Sequence, residues 1–267
     1  MTSKAMERKY ELTDETREAF GRTLHRIVAV RSFDYVKAGE KGGWIEKESN
    51  LSHEGFCWVY DDAMVFADAV VSGNAKVIRH ATVCDTAKVY GNAKLMDNAA
   101  VYGRAEVYGD AVVYYCAEVY GEAAVCGSAV VYGKAEVCGN AKVHDYAKVF
   151  GNAAVYGRAE VYDEASVCGR TDVYGDATVC GDAEVRGDAV LREDAVVRSN
   201  RDYIVFKNWW SSGRYFTWTR SNNKWRVGCF YGTGEELIKK AYADSDKSGR
   251  EYERIVKYVK EILKAEE

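Results

Sequence analysis

The sequence predicts an all-β solenoid, a parallel β-helix running through residues 59–200. Three observations carry that expectation. Valine recurs at every sixth residue from Val59 to Val197, through 24 hexads without insertion or deletion, with only Leu95 and Leu191 replacing it. Alanine holds the fifth position of the hexad from Ala63 to Ala195 at 22 of 23 steps, Thr171 being the exception. Glycine holds the third position 14 times, and a polar residue, most often Asn or Asp, usually follows it. A short period kept this strictly marks a repeat architecture and excludes a disordered low-complexity tract.

Each hexad reads as one short strand and one corner. Residues two apart share a strand face, so Ala at position 5 and Val at the next position 1 point inward together. The Lys or Glu between them points outward, as does the Tyr after Val. Gly followed by Asn or Asp supplies the bend, because both tolerate positive φ. One such strand cannot bury its apolar side alone, so successive coils must stack at about 4.8 Å.

An open stack exposes an unpaired edge at each end, and terminal caps are therefore expected. Residues 1–58 read as the first cap. Tyr10–Leu12 and Leu24–Val30 are strand candidates, Lys41-Gly42-Gly43 reads as a turn, and Trp44 and Trp58 are expected over the first coil. Residues 201–267 read as a small α+β module. Residues 201–231 predict two or three strands, with turns at Ser211-Ser212-Gly213 and Ser221-Asn222-Asn223. Thr233-Gly234-Glu235-Glu236 is a capping box opening a helix to about Ala243. A second helix is expected from about Gly249 to Ala265, with Ile255, Val256, Val259, Ile262 and Leu263 as its core stripe.

The segment Ile27–Ala63 contains Phe33, Val36, Lys37, Ala38, Gly39, Gly42, Gly43, Trp44, Asn50, Leu51, Ser52, Gly55, Cys57, Trp58, Tyr60 and Asp61. In these residues and their spacing it resembles the YdcK-type bacterial hexapeptide-repeat proteins, which are often labelled acyl- or acetyltransferases. The resemblance to hexapeptide-repeat proteins implies a left-handed helix with three hexads per turn. The expectation is then about eight 18-residue coils. The resemblance carries no catalytic residue onto this chain.

With an 18-residue coil, side chains 18 apart stack in columns. One outward face collects Ile78, Met96, Val112, Tyr114, Val130, Tyr132 and Phe150, the most apolar of the three. A contiguous exposed apolar face points to self-association and a homo-oligomer. The other faces carry Glu118 and Glu136, and Lys88 beside Glu106 and Lys142 beside Glu160. Corner residues pair as Arg158 with Asp176 and Arg170 with Asp188. No two of the eight cysteines are 18 apart, which excludes disulfides between adjacent coils. Cys84, Cys126, Cys138, Cys168 and Cys180 fall on the outward tyrosine position and are expected as reduced, semi-exposed thiols.

The chain has 267 residues and a net charge of −4, so no global basic field advertises nucleic acid or an anionic membrane. Its start is charged and lacks the apolar core of a signal peptide, and no run is long and apolar enough to span a bilayer. A cytoplasmic protein without membrane contact is expected. Chemistry is hard to place in the repeat. Only His80, on a corner, and His144, on an outward column between Cys126 and Tyr162, fall within it. As a class, hexapeptide acyltransferases use a histidine base near a subunit interface, so an acyl-CoA-dependent activity would make His144 or His80 that base. Otherwise no catalytic residue and no cofactor is expected. Cys126 and His144 are two donors, too few for a metal site.

The C-terminal module is the other candidate. Residues 198–231 hold seven basic residues against one acid, a net of +6 on an acidic protein. Trp209, Trp210, Arg214, Trp218, Arg220, Trp225 and Arg226 form the expected ligand-binding set. Arg186, Arg192 and Arg198 also replace Tyr or Cys on the last coil. Cations among aromatics suit an anionic ligand, a nucleotide, a nucleic acid or a protein partner. The same tryptophans could instead plug the end of the coil. On balance the sequence predicts a non-enzymatic, self-associating scaffold that presents this module to a partner.

Overall fold

The computed structural model describes residues 8–266. From residue 41 to residue 197 the chain winds as a three-faced β-solenoid with 18-residue coils. Val101 lies directly over Val119, and Ala100 over Glu118. The same 18-residue register continues through the stack, as in Val113–Val131 and Val143–Val161. The inward Val and Ala positions form one continuous core, each at most 1% exposed. Thr171, the single break in the alanine position, is also buried, and its hydroxyl donates to Cys168 O at 2.7 Å. That bond removes the cost of burying a hydroxyl in a dry interior.

The first face has nine parallel rungs, one more than the repeat count suggested, because Trp44–Ile45 pairs with Met64–Val65 ahead of Val59. The second and third faces have eight rungs each. The extra rung comes from strand β3, Lys41–Ile45. The expected turn at Lys41-Gly42-Gly43 is therefore a strand. Two glycines stand there because backbone and rings approach too closely for a side chain. A Cβ on Gly42 would lie 2.6 Å from the Trp58 ring, and one on Gly43 would lie 2.6 Å from Ala63 O. Strands β1 (Tyr10–Ala19) and β2 (Arg22–Ala29) form an antiparallel hairpin that extends the first face from β3.

The C-terminal module is a four-stranded antiparallel sheet of Tyr203–Lys207, Tyr215–Thr219, Lys224–Val227 and Phe230–Gly232. The expected turns fall between these strands. Phe230–Gly232 adds a fourth strand where two or three were expected: it runs straight into the helix cap, and the Gly228-Cys229 turn ahead of it, with Gly228 at φ +55°, is only two residues long. Helix α1 (Gly234–Asp244) opens on the Thr233–Glu236 capping box, and α2 (Asp246–Ala265) packs against it. Neither helix is long and apolar enough to cross a membrane.

The two ends of the coil are closed by opposite chemistry. Outside the rung ladders, forward amides at positions 6, 2 and 4 donate toward the C-terminal end, as in Glu118 N to Ala135 O, Tyr120 N to Val137 O and Glu122 N to Gly139 O. The carbonyls that receive them face the N-terminal end. At that end, donors cap the free carbonyls. Asn50 Nδ2 reaches Ala67 O and Ala69 O, Lys9 Nζ reaches Cys57 O, and Arg26 Nη1 reaches Asp61 O. At the C-terminal end, side-chain oxygens cap the free amides. Asn200 Oδ1 accepts from Glu184 N, Thr217 Oγ1 from Val190 N and Ser221 Oγ from Val196 N, one on each face. Tyr203 OH and Asp202 Oδ2 take the amides of Arg186 and Arg198. Tyr203 and Val205 pack on the end of the solenoid core.

Candidate functional site

The second face carries the expected apolar surface. Its outward column after each rung valine runs Tyr60, Ile78, Met96, Tyr114, Tyr132, Phe150, Cys168 and Arg186. Tyr114 and Tyr132 stack at 5.0 Å, and Tyr132 and Phe150 at 4.8 Å, nearly the rung spacing. Val112 and Val130 pair beside them, in a column where the flanking coils place Lys76, Lys94 and Lys148. All seven named residues are partly exposed. Tyr115, on the adjoining corner and 56% exposed, widens the patch. It sits at φ +59°, where the repeat normally has glycine or an acid.

The other faces are polar and internally satisfied. Lys88 pairs with Glu106 at 3.0 Å and Lys142 with Glu160 at 3.1 Å; Arg158 with Asp176 and Arg170 with Asp188 are each at 2.6 Å. These pairs are solvated and contribute little individually. Tyr90 OH donates to Glu106, Tyr102 OH to Glu118 and Tyr120 OH to Glu136, each on the next coil. Burial, reinforced by the Glu106 carboxylate, pushes the Tyr90 phenol up to about 12, and burial does the same for Tyr156. Folded-state values above the ordinary tyrosine value of about 10 mean that the native protein holds these protons more tightly than the unfolded chain. Their contribution is whole below pH 10 and is lost as pH rises toward 12. Alkaline melting in that window, with part of the tyrosine absorbance at 295 nm titrating only on unfolding, is the expected result. Complete titration of all tyrosines near pH 10 in the folded state would contradict it.

Five cysteines follow rung valines as expected, but only Cys84, Cys126 and Cys138 are semi-exposed. Cys168 and Cys180 are buried. Cys168 lies one rung from Arg186, where Tyr203 of the module closes over the coil end, and Cys180 is flanked in its column by Tyr162 and Arg198. All eight thiols are free.

His80 is exposed on a corner. His144 stacks on Tyr162 at 5.1 Å, and its Nδ1 lies 3.0 Å from Asp145 Oδ2. An open concavity of about 420 Å³ on the third face is lined by Thr86, Lys88, Arg104, Glu106 and Glu122, with neither histidine in its wall. Its cations are paired, Lys88 with Glu106 and Arg104 with Glu122.

The structure does not gather the seven module residues on one surface. Trp210, Trp218 and Trp225 are at most 7% exposed and form a core with Phe216, Leu237, Tyr252, Val256 and Val259. The tryptophans therefore build the module's own interior, and the plug over the coil is Tyr203 and Val205. Trp209 is 71% exposed and Arg214 is exposed. Arg220 bonds Arg201 O and Glu266, and Arg226 Nε is buried without a hydrogen-bond partner. Strand alternation carried the missed signal: Phe216 and Trp218 are two apart, and Trp218 lies opposite Trp225.

Residues 59–73, at the start of the solenoid, match the family profile of the YdcK beta solenoid repeat. The chain carries the YdcK β-solenoid repeat. It is also 42% identical over 80 residues to the Escherichia coli (strain K12) protein named "Uncharacterized acetyltransferase YdcK". That overlap covers 26% of this chain and 24% of the relative, so the chain spans about a quarter of the length of the curated relative it matches.

Proposed function

We propose that this protein is a non-enzymatic, self-associating β-solenoid scaffold. The shaft acts as a rigid spacer, the second face joins copies of the chain, and the C-terminal module is presented to a partner or anionic ligand. The single observation that carries this reading is the apolar column of the second face, with Val112 and Val130 standing where neighbouring coils place lysine. Removing such a face from water is favourable at about 25 cal/mol per Å².

The repeat itself suggests the test. Lysine already occupies the equivalent rung position at Lys76, Lys94 and Lys148, so Val112→Lys with Val130→Lys leaves the coil intact. Sedimentation should find the wild type oligomeric and the double variant monomeric, with association weakened at least about a hundredfold and the circular dichroism unchanged. A wild type that stays monomeric at tens of micromolar overturns the reading.

A second reading, an acyl-CoA-dependent acyltransferase with a site between subunits, draws on the relative's name and on the His144–Asp145 pair. Steady release of CoA from acetyl-CoA that is abolished in His144→Ala would favour it over the scaffold.

A further inference from the structure

Lys9 precedes β1, and Cys57 precedes the Trp58 rung. Both are 0% exposed. Lys9 Nζ lies 3.2 Å from Cys57 Sγ, 2.8 Å from Cys57 O and 3.5 Å from Gly55 O, so two backbone carbonyls hold the amine beside the thiol. The Cys57 thiol in turn donates to Ser52 O at 3.4 Å. The carbonyl bond explains why a lysine caps this end of the coil. It does not require a cysteine beside the amine.

We propose that Lys9 and Cys57 are a modification site, joined by an N–O–S bridge when the protein meets hydrogen peroxide. One peroxide takes two electrons from the thiol, giving a sulfenic acid and water. A second takes two electrons from the amine, giving a hydroxylamine and water. The N–OH oxygen then bonds to sulfur as the S–OH group leaves with the hydroxylamine proton as a third water. The net change is RNH₂ + R′SH + 2 H₂O₂ → RNH–O–SR′ + 3 H₂O. The chain gains one oxygen and loses two hydrogens.

The surroundings favour the uncharged forms that this chemistry needs. Burial pulls the Lys9 ammonium down from its ordinary value, and nearby Arg31 adds to that effect. Burial pushes the Cys57 thiol up. An uncharged amine keeps the lone pair that attacks peroxide. The enclosed pair also keeps competing thiols away, so a sulfenic acid formed there meets Lys9 first. Small oxidants can reach it through local opening of the N-terminal hairpin. The bridge would tie residues 48 positions apart and lock that hairpin to the first coil.

The experiment uses the full native chain. Exposed thiols are first blocked with N-ethylmaleimide, and the protein is then treated with hydrogen peroxide and digested. The expected product is a cross-linked peptide pair holding Lys9 and Cys57, about 14 Da heavier than the sum of the two peptides, and returned to the free peptides by dithiothreitol. Cys57→Ser and Lys9→Met should each abolish it; if either variant fails to fold, the wild-type product alone decides. Recovery of Cys57 as a free thiol, or only as sulfinic or sulfonic acid with Lys9 unmodified, overturns the proposal.

Discussion

Gly121→Val is expected to destabilise the solenoid by about 3 kcal/mol, whereas Gly121→Asp should cost about 1 kcal/mol or less. Gly121 sits at φ +75°, and a Cβ there would lie 2.9 Å from Gly139 N on the next coil. Valine adds a branched side chain to a left-handed corner, and the corner cannot relax alone because each coil is bonded to its neighbours. Aspartate is different, since the protein already uses it at this position. Asp85 (φ +59°), Asp97 (φ +61°) and Asp163 (φ +59°) occupy equivalent corners. Their carboxylates accept from the amide 18 residues ahead: Gly103 N at 2.9 Å, Tyr115 N at 3.3 Å and Gly181 N at 2.9 Å. An aspartate at 121 can make the same bond to Gly139 N. Urea unfolding of the two variants checks the contrast, and equal midpoints would refute it.

Removing the C-terminal amide caps is expected to loosen the module from the end of the coil and to destabilise the protein by about 3 kcal/mol. In the triple variant Asn200→Ala, Thr217→Val, Ser221→Ala, the amides of Glu184, Val190 and Val196 lose their acceptors on all three faces together. A buried amide left unpaired costs about 1–3 kcal/mol, less where water can reach it. The carbonyl-rich end of another copy cannot replace those acceptors, because Asn50, Lys9 and Arg26 already cap it, so the loss falls on the variant's own stability. Thermal and urea unfolding should show the loss as a lower midpoint, with the assembly size unchanged. A triple variant with the wild-type melting temperature would show that the packing of Tyr203 and Val205 closes the end without those bonds.

The shaft was legible because one physical demand repeats 24 times: Val and Ala must fill a narrow dry interior at a fixed beat. Its columns followed from the 18-residue coil, and the Lys88–Glu106 and Arg158–Asp176 pairs lie where that coil puts them. Misreadings cluster where distant segments decide. Gly42-Gly43 has the local chemistry of a turn, but Trp58 and Ala63 make it a strand with no room for side chains. Cys168 occupies an ordinary outward position, but the module covers it. Trp218 and Trp225 beside Arg220 and Arg226 looked like a ligand surface, because composition does not say which way a strand faces. Lys9 gave no sign of burial, since nothing local distinguishes a lysine that ends under a coil from one in water. Of the candidate surfaces, the apolar column was readable from the hexad spacing together with the three hexads per turn that the resemblance implies; the capping residues Asn200, Thr217 and Ser221 were not, because each acts on an amide that only the fold brings to it.

The absence of any insertion between Val59 and Val197 makes the shaft a ruler. Duplicating or losing one 18-residue unit moves the hairpin and the module apart or together by one notch, about 4.8 Å. The corner ladders and both end closures keep their partners through such a change. The reach between the two ends is therefore set in whole steps, and it can be retuned without redesigning either tip.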